Sequence, residues 1–326
     1  MRALASCLLS VVMAATLCAC QPGEAVTERV DAARERNDGP AIWVATDADS
    51  TVYLYGTIHL MPIGLDWQRD DMVEAFGRSG TVLFEVPSTD AARTAANRLT
   101  QQLGFLGLEE GRLSEGFDAY ETKLLEAAAL QADVPLEALD TMRPWLASDI
   151  LLVAAADRAG LSPELSADEA LKSLARRQRK NVQYLDTMEE QIALSAEASP
   201  EAQSEALRDT LVNYNRLAPV LARIADAWVV GDTARLERLT REPLTDIARE
   251  RLFTARNDRW ADRIAELMEG SGTAFVAVGV GHLVGEDSLQ AALKARGIEV
   301  ERFLAFQGET VIRTIDLDIG IDNPGP

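Results

Sequence analysis

Two histidines occur in the 326-residue chain, and each stands three residues after a glycine that closes an apolar, β-rich run: Gly56-Thr57-Ile58-His59 and Gly279-Val280-Gly281-His282. A glycine at that place lets the backbone pass close to a bound group, because it has no Cβ to obstruct it. A third candidate, Glu85, comes near the end of the apolar stretch "TVLFEVP" that begins at Thr81. A carboxylate in such a run is expensive to bury unless an arginine pairs with it or a metal binds it. His59, Glu85 and His282 together make a two-histidine, one-carboxylate set. Neutral imidazole and carboxylate suit divalent zinc, manganese or cobalt alike, and three protein ligands leave a coordination position for water or substrate. A metal-bound water ionises near neutral pH and can attack a carbonyl carbon while a carboxylate takes its proton. Glu85 is then either the third ligand or the base beside a two-histidine site.

Elements have to hold these residues together. The runs at residues 41–45 and 51–56 flank Thr46-Asp47-Ala48-Asp49-Ser50, a hairpin signature. After His59 comes a short amphipathic segment stopped by Gly77 and Gly80, and then the buried strand that ends at Pro87. Residues from about 90 to 268 read as largely helical, with Ser199-Pro200 as a helix start and apolar stripes such as Leu217, Leu221, Ile224 and Trp228, and Trp260 and Ile264, read as packing. The end of the chain repeats the beginning: strand, Gly-x-x-His, helix and strand occur at about residues 51–87 and again at 273–306. Units of this length form parallel strand pairs with right-handed crossovers, which would bring both histidines to the carboxyl edge of one sheet. Ligands bind along that edge in open α/β sheets. The expected fold is α/β, with a mixed sheet built from two related halves and a large helical insertion.

The termini and composition bound the setting. Arg2 followed by an apolar run through Cys20 reads as an export signal. Its end, Leu17-Cys18-Ala19-Cys20, resembles a lipobox, so the expected organisation is a leader over 1–19, a lipidated Cys20 with a tether to residue 40, a domain over 41–318 and a tail over 319–326. Gln21 after that cysteine favours the outer membrane, facing the periplasm, and an ordinary cleaved signal would instead leave a soluble periplasmic or secreted protein. All three cysteines fall in the first 20 residues, so disulfides, thiol nucleophiles and thiolate metal sites are excluded from the body. A net charge of −20 repels nucleic acid and anionic lipid, leaving the N-terminal lipid as the membrane contact. No Gly-x-Ser-x-Gly elbow and no phosphate-binding glycine loop accompanies the histidines.

The segments "YLYGTIHLMP", "VLFEVP", "TMRPWLASDILL" and "FVAVGVGHLVGEDSLQAALKARGIEVER" occur in the order found in the TraB/GumN family, which the chain resembles and which is similar to the Tiki metalloproteases. The resemblance implies a metal-dependent, peptidase-like centre acting on a peptide or protein, with His59, His282 and Glu85 at the family's motif positions. Its arginine before Pro-Trp falls on Arg143, a candidate for stabilising an oxyanion. Where many members carry Gly-Leu-Glu-Thr this chain has Tyr184-Leu185-Asp186-Thr187, so Asp186 is an acidic partner shorter by one methylene. "TARNDRW" resembles the family's Arg-Asn segment and implies that Arg256 and Asn257 line the pocket. Two rival readings accompany the metallohydrolase. One is a non-catalytic metal- or haem-binding lipoprotein, and the other a metal-free hydrolase resembling erythromycin esterases, in which histidine and glutamate perform the acid-base work directly.

Overall fold

A computed structural model describes residues 39–107 and 109–303 of the chain, with the backbone of 305–306 and 309–310. The expected export signal, Cys20, nearly all of the expected tether and the expected tail lie outside the described residues.

The expected hairpin forms first: β1 (Ile42–Thr46) pairs antiparallel with β2 (Ser50–Thr57). Asp47 closes its turn by accepting hydrogen bonds from the backbone N–H groups of Asp49 and Ser50, the local side-chain turn that aspartate favours. Two further short strands, β3 (Met61–Pro62) and β5 (Leu161–Ser162), make a separate ribbon just beyond His59. β4 (Thr81–Phe84), β6 (Asn181–Tyr184), β7 (Gly272–Gly279) and β8 (Glu301–Arg302) complete a six-stranded mixed sheet in the order β6-β4-β7-β2-β1-β8. Four neighbours, β6, β4, β7 and β2, run parallel.

This order departs from the sequence expectation in three places. β4 does not lie beside β2, because β7 is inserted between them. The last strand of the C-terminal unit, β8, does not pair in parallel with β7 but runs antiparallel against β1 at the far edge. β6 comes from within the segment expected to be helical. Its residues, Asn-Val-Gln-Tyr, are mostly exposed or half-buried, so the edge strand lacks the long apolar run that marks a buried one.

Numbering the helices longer than a single turn, α1 is Asp70–Arg78, α2 Asp90–Leu103, α3 Ala119–Ala132, α4 Pro144–Arg158, α5 Ala167–Arg177, α6 Met188–Ala196, α7 Pro200–Val212, α8 Tyr214–Val229, α9 Thr233–Thr240, α10 Ala255–Met268 and α11 Leu289–Lys294. Strand alternation sends side chains to two faces. Tyr53, Tyr55, Phe84 and Phe275 pack against Phe76 of α1, Leu171 of α5 and Trp228 of α8. Leu54, Leu83, Val276 and Val278 pack against Trp260 and Ile264 of α10 and against α11. Burial on both faces explains why β2, β4 and β7 read as nearly unbroken apolar runs. α3, α4, α7 and part of α8 form a second, helical core that reaches the sheet region through Leu60. Ser199 caps α7 as expected, its side chain accepting from the N–H of Ala202.

Candidate functional site

The four parallel strands end on the same side of the sheet, and the residue types of interest follow directly. Glu85 comes next after β4, Asp186 two residues after β6, and Gly279 and Thr57 are the paired last residues of β7 and β2. His59 follows two residues beyond Thr57, and His282 sits in the tight turn Val280–Leu283. Two helices add partners at this edge: Asp168 from the first turn of α5, and Arg256 and Asn257 from the first turn of α10. A π-helical stretch, Glu250–Thr254, leads into α10. Such stretches widen one turn and re-aim the side chains that follow.

Arg256 is the hub. Its guanidinium, 1 % exposed, donates to Glu85 Oε2 at 2.8 Å, Asp186 Oδ2 at 2.8 Å, Gln191 Oε1 at 3.2 Å and His282 Nε2 at 3.1 Å. The other oxygen of Asp186 accepts from Trp260 Nε1 at 3.0 Å and Arg259 Nη2 at 3.1 Å. Glu85 Oε1 accepts the backbone N–H of Gly279 at 2.5 Å. Of the two partners that could offset the burial of Glu85, the one present is an arginine.

Hydrogen-bond chemistry fixes His282. A guanidinium can only donate, so Nε2 carries the lone pair and Nδ1 the proton, which goes to Asn257 Oδ1 at 2.7 Å. Burial and the neighbouring Arg256 both lower its proton affinity well below the ordinary range, so it stays neutral. His59 is in a different state. Its side chain is 29 % exposed, and Nδ1 lies 2.9 Å from Asp168 Oδ2, whose other oxygen accepts from Thr57 Oγ1 at 2.8 Å. Desolvation would lower His59, but the charge and hydrogen bond of Asp168 outweigh it and raise it to about 9. Glu85 moves the opposite way. Burial alone would raise it, yet Arg256, the charged His59 and the Gly279 N–H hold it at about 2.

These groups face one point. A methyl group built on Gly279 would lie 3.1 Å from Glu85 Oε1, 3.3 Å from His59 Nε2 and 3.9 Å from His282 Cδ2. Gly279→Ala is accordingly expected to keep the fold and abolish binding or turnover at this point, as read by activity beside an unchanged unfolding midpoint. Gly56 has a structural reason instead. A Cβ there would come within 2.9 Å of Val280 Cγ2 and 3.2 Å of its Cα, where the two Gly-x-x-His loops touch. Gly56→Ala should then destabilise by about 1–3 kcal/mol through overpacking.

The sequence pattern of the TraB/PrgY/gumN family matches residues 41–302, which spans the whole sheet and every residue just described. The chain belongs to the TraB/PrgY/gumN family. It is also 24 % identical over 256 residues to the protein named uncharacterized protein YbaP of Escherichia coli strain K12, covering 78 % of this chain and 92 % of that one. The YbaP protein of Shigella flexneri matches to the same extent. No solved structure matches the chain significantly.

Of the residues singled out by the family's motifs, His59, Glu85, Asp186, Arg256, Asn257 and His282 are brought into one connected cluster. Arg143 is not bonded to that cluster. It precedes Pro144 at the start of α4, and its guanidinium pairs with the exposed carboxylate of Glu110 at 2.8 Å. Four participants had no sequence signal of their own. Asp168 looks like an ordinary acidic residue in a first helical turn, Thr57 like a strand residue, Gln191 like a helix surface, and Trp260 like packing.

The expected three-ligand metal set has an arginine in its way. Two ligands at about 2.0–2.2 Å from one ion stand roughly 3–4 Å apart, and His282 Nε2 is 3.9 Å from Glu85 Oε1, a spacing one ion could bridge. The lone pair of Nε2, however, is taken by Arg256. A fixed guanidinium charge at the third donor opposes a dication there. Among the described residues, no group of three or more His, Cys, Asp or Glu side chains is placed to hold a metal ion.

Proposed function

We propose that this TraB/PrgY/gumN chain is a hydrolase of peptide or ester carbonyl bonds whose proton transfers are carried by His59 and Glu85 themselves. The observation that carries the reading is that Glu85 Oε1 and His59 Nε2 flank the same point above Gly279, the one paired with Arg256 and the other with Asp168, which moves their proton affinities in opposite directions. Pairs pushed apart in this way mark an acid and a base. At neutral pH His59 is an imidazolium, held in orientation by Asp168, and it donates its Nε2 proton to the leaving group. Glu85, kept ionised by Arg256, orients a water and accepts its proton as that water attacks the carbonyl carbon. His282, neutral and buried, accepts from Arg256 and so fixes the guanidinium that holds Glu85. The export signal and Cys20 would place this activity in the bacterial envelope, on a lipid tether.

A metal-dependent reading has one observation in its favour. Both histidines engage Nδ1 with an oxygen and turn Nε2 inward, the orientation of metal-bound imidazoles with outer-sphere partners. It requires Arg256 to leave His282. The test is hydrolysis of a panel of peptides and simple esters by the purified chain, before and after exhaustive chelation. Turnover that survives chelation and disappears in Glu85→Gln supports the acid-base reading. Turnover lost on chelation and restored by manganese, cobalt or zinc overturns it in favour of the metallohydrolase.

A further inference from the structure

A second, partly buried network stands behind the Gly-x-x-His turn of His282, and none of its members takes part in the proton transfers just proposed. Its centre is Asp287. One carboxylate oxygen accepts from the Arg241 guanidinium, the other accepts from Thr254 Oγ1 at 2.7 Å, and the backbone carbonyl of Asp287 accepts from Asn257 Nδ2 at 2.9 Å. Arg241, 2 % exposed, uses its remaining arm to donate to Gly281 O at 2.8 Å and lies over the Phe253 ring at 4.5 Å. Phe253 in turn meets the His282 ring edge-on at 4.9 Å, and a Cβ on Gly281 would come within 2.7 Å of it. The turn carrying His282 is thus clamped through its backbone, its ring face and its Nδ1 partner by groups that all lead to Asp287.

The direction of each hydrogen bond makes the clamp chemically specific. A carbonyl can only accept, so Asp287 O fixes the NH₂ side of Asn257, and the amide oxygen must face His282. An amide oxygen can only accept, so the proton of His282 is held on Nδ1. Nε2 is then left with its lone pair toward Arg256, which completes the set of acceptors around that guanidinium. With the opposite tautomer, an N–H would point at a guanidinium N–H, and Arg256 would have to turn away from Glu85.

We infer that the Asp287 carboxylate, anchored on Arg241 and Thr254, holds its own main-chain carbonyl against Asn257 and so acts as a positioning group for the tautomer of His282 and, through it, the orientation of Arg256 over Glu85. The catalytic part of this inference rests on the acid-base reading above, whereas the tautomer does not. Because the chain has only two histidines, uniform ¹⁵N labelling and long-range ¹H–¹⁵N spectra report the protonated nitrogen of each ring without crowding. In the wild-type chain His282 should show a protonated Nδ1 and a bare Nε2. Asp287→Ala keeps that carbonyl but frees it from Arg241 and Thr254, so Asn257 should lose its fixed orientation, His282 should become a mixture of tautomers, and kcat should fall roughly 10–100-fold with KM little changed. Thr254→Val, which removes a single bond to Asp287, should shift the spectrum in the same direction by less, and it serves if Asp287→Ala fails to fold. A folded Asp287→Ala or Thr254→Val chain in which His282 keeps the pure Nδ1–H pattern overturns the inference, whatever happens to turnover. A shifted tautomer in a chain that hydrolyses nothing leaves the inference standing and removes the acid-base reading instead.

Discussion

Arg256→Met should be the most damaging single substitution in the molecule. The arginine neutralises two carboxylates, Glu85 and Asp186, that are themselves almost fully buried. Removing one member of a buried, hydrogen-bonded ion group leaves the other charges unpaired and typically destabilises by about 3–5 kcal/mol, whereas the intact group adds little over an apolar core. Methionine fills much of the volume, so the loss reads as charge rather than cavity. The pH dependence identifies the cause. Glu85 is lowered from 4.5 to about 2 in the folded chain. The stability this supplies is complete above the unfolded value and disappears as pH falls from about 4.5 toward 2. With Arg256 removed, that acid limb should flatten and the chain should be less stable at pH 7. Urea unfolding at several pH values reads both effects. An Arg256→Met chain as stable as wild type, with its acid limb intact, would show that Glu85 does not depend on this arginine.

His59 gives the second large expectation. Replacing it with glutamine should lower turnover by roughly 10²–10⁴, the range for loss of a proton-transferring side chain, and should also cost the stability of its pair with Asp168, so turnover is compared at a temperature where both chains are folded. In the wild type the imidazolium is the working form, so kcat/KM should fall as pH rises through about 9. Asp168→Asn removes the charge that holds this value up, and the alkaline limb should move down toward 6.5. The linkage has the same sign. A raised histidine contributes stability that is full below 6.5 and is lost as pH rises through about 9. His282, held neutral, should not titrate across the range. An alkaline limb that stays in place in Asp168→Asn would remove His59 from the proton-transfer step.

The two histidines and Glu85 could be singled out because their local sequence is unusual, although an arginine partner for Glu85 was an equal alternative to a metal. A glycine at a strand end followed by the chain's only histidines, and a carboxylate inside an apolar strand, are both local signals. What the sequence hid is relational. Asp168 lies 109 residues from His59 and sits where acidic residues are common for reasons of helix stability alone. Trp260 and Trp228 belong to helical stripes that do pack as expected, yet each also uses its indole N–H, on Asp186 and on the carbonyl of Gly56 at 2.7 Å. The resemblance correctly grouped Arg256 and Asn257 with the histidines, and Asp186 reaches its arginine in spite of the shorter side chain. Strand order escaped because periodicity gives the face of a strand and not its neighbour. Two strand-helix-strand units read alike in sequence, but here one is interleaved with the other rather than set beside it.

That interleaving has a consequence for how the chain comes into being. β7 lies between β2 and β4, which precede it by most of the polypeptide. Until β7 has been made, both earlier strands present an unpaired inner edge, apolar on two faces, to whatever else is nearby, and such edges invite aggregation. The same late strand brings the Gly279 N–H that Glu85 accepts and leads directly into His282. The cluster therefore cannot close until β7 has been synthesised. A chain cut short before residue 272 would lack β7, Gly279 and His282, and its His59, Glu85, Asp186, Arg256 and Asn257 would have nothing to close them together.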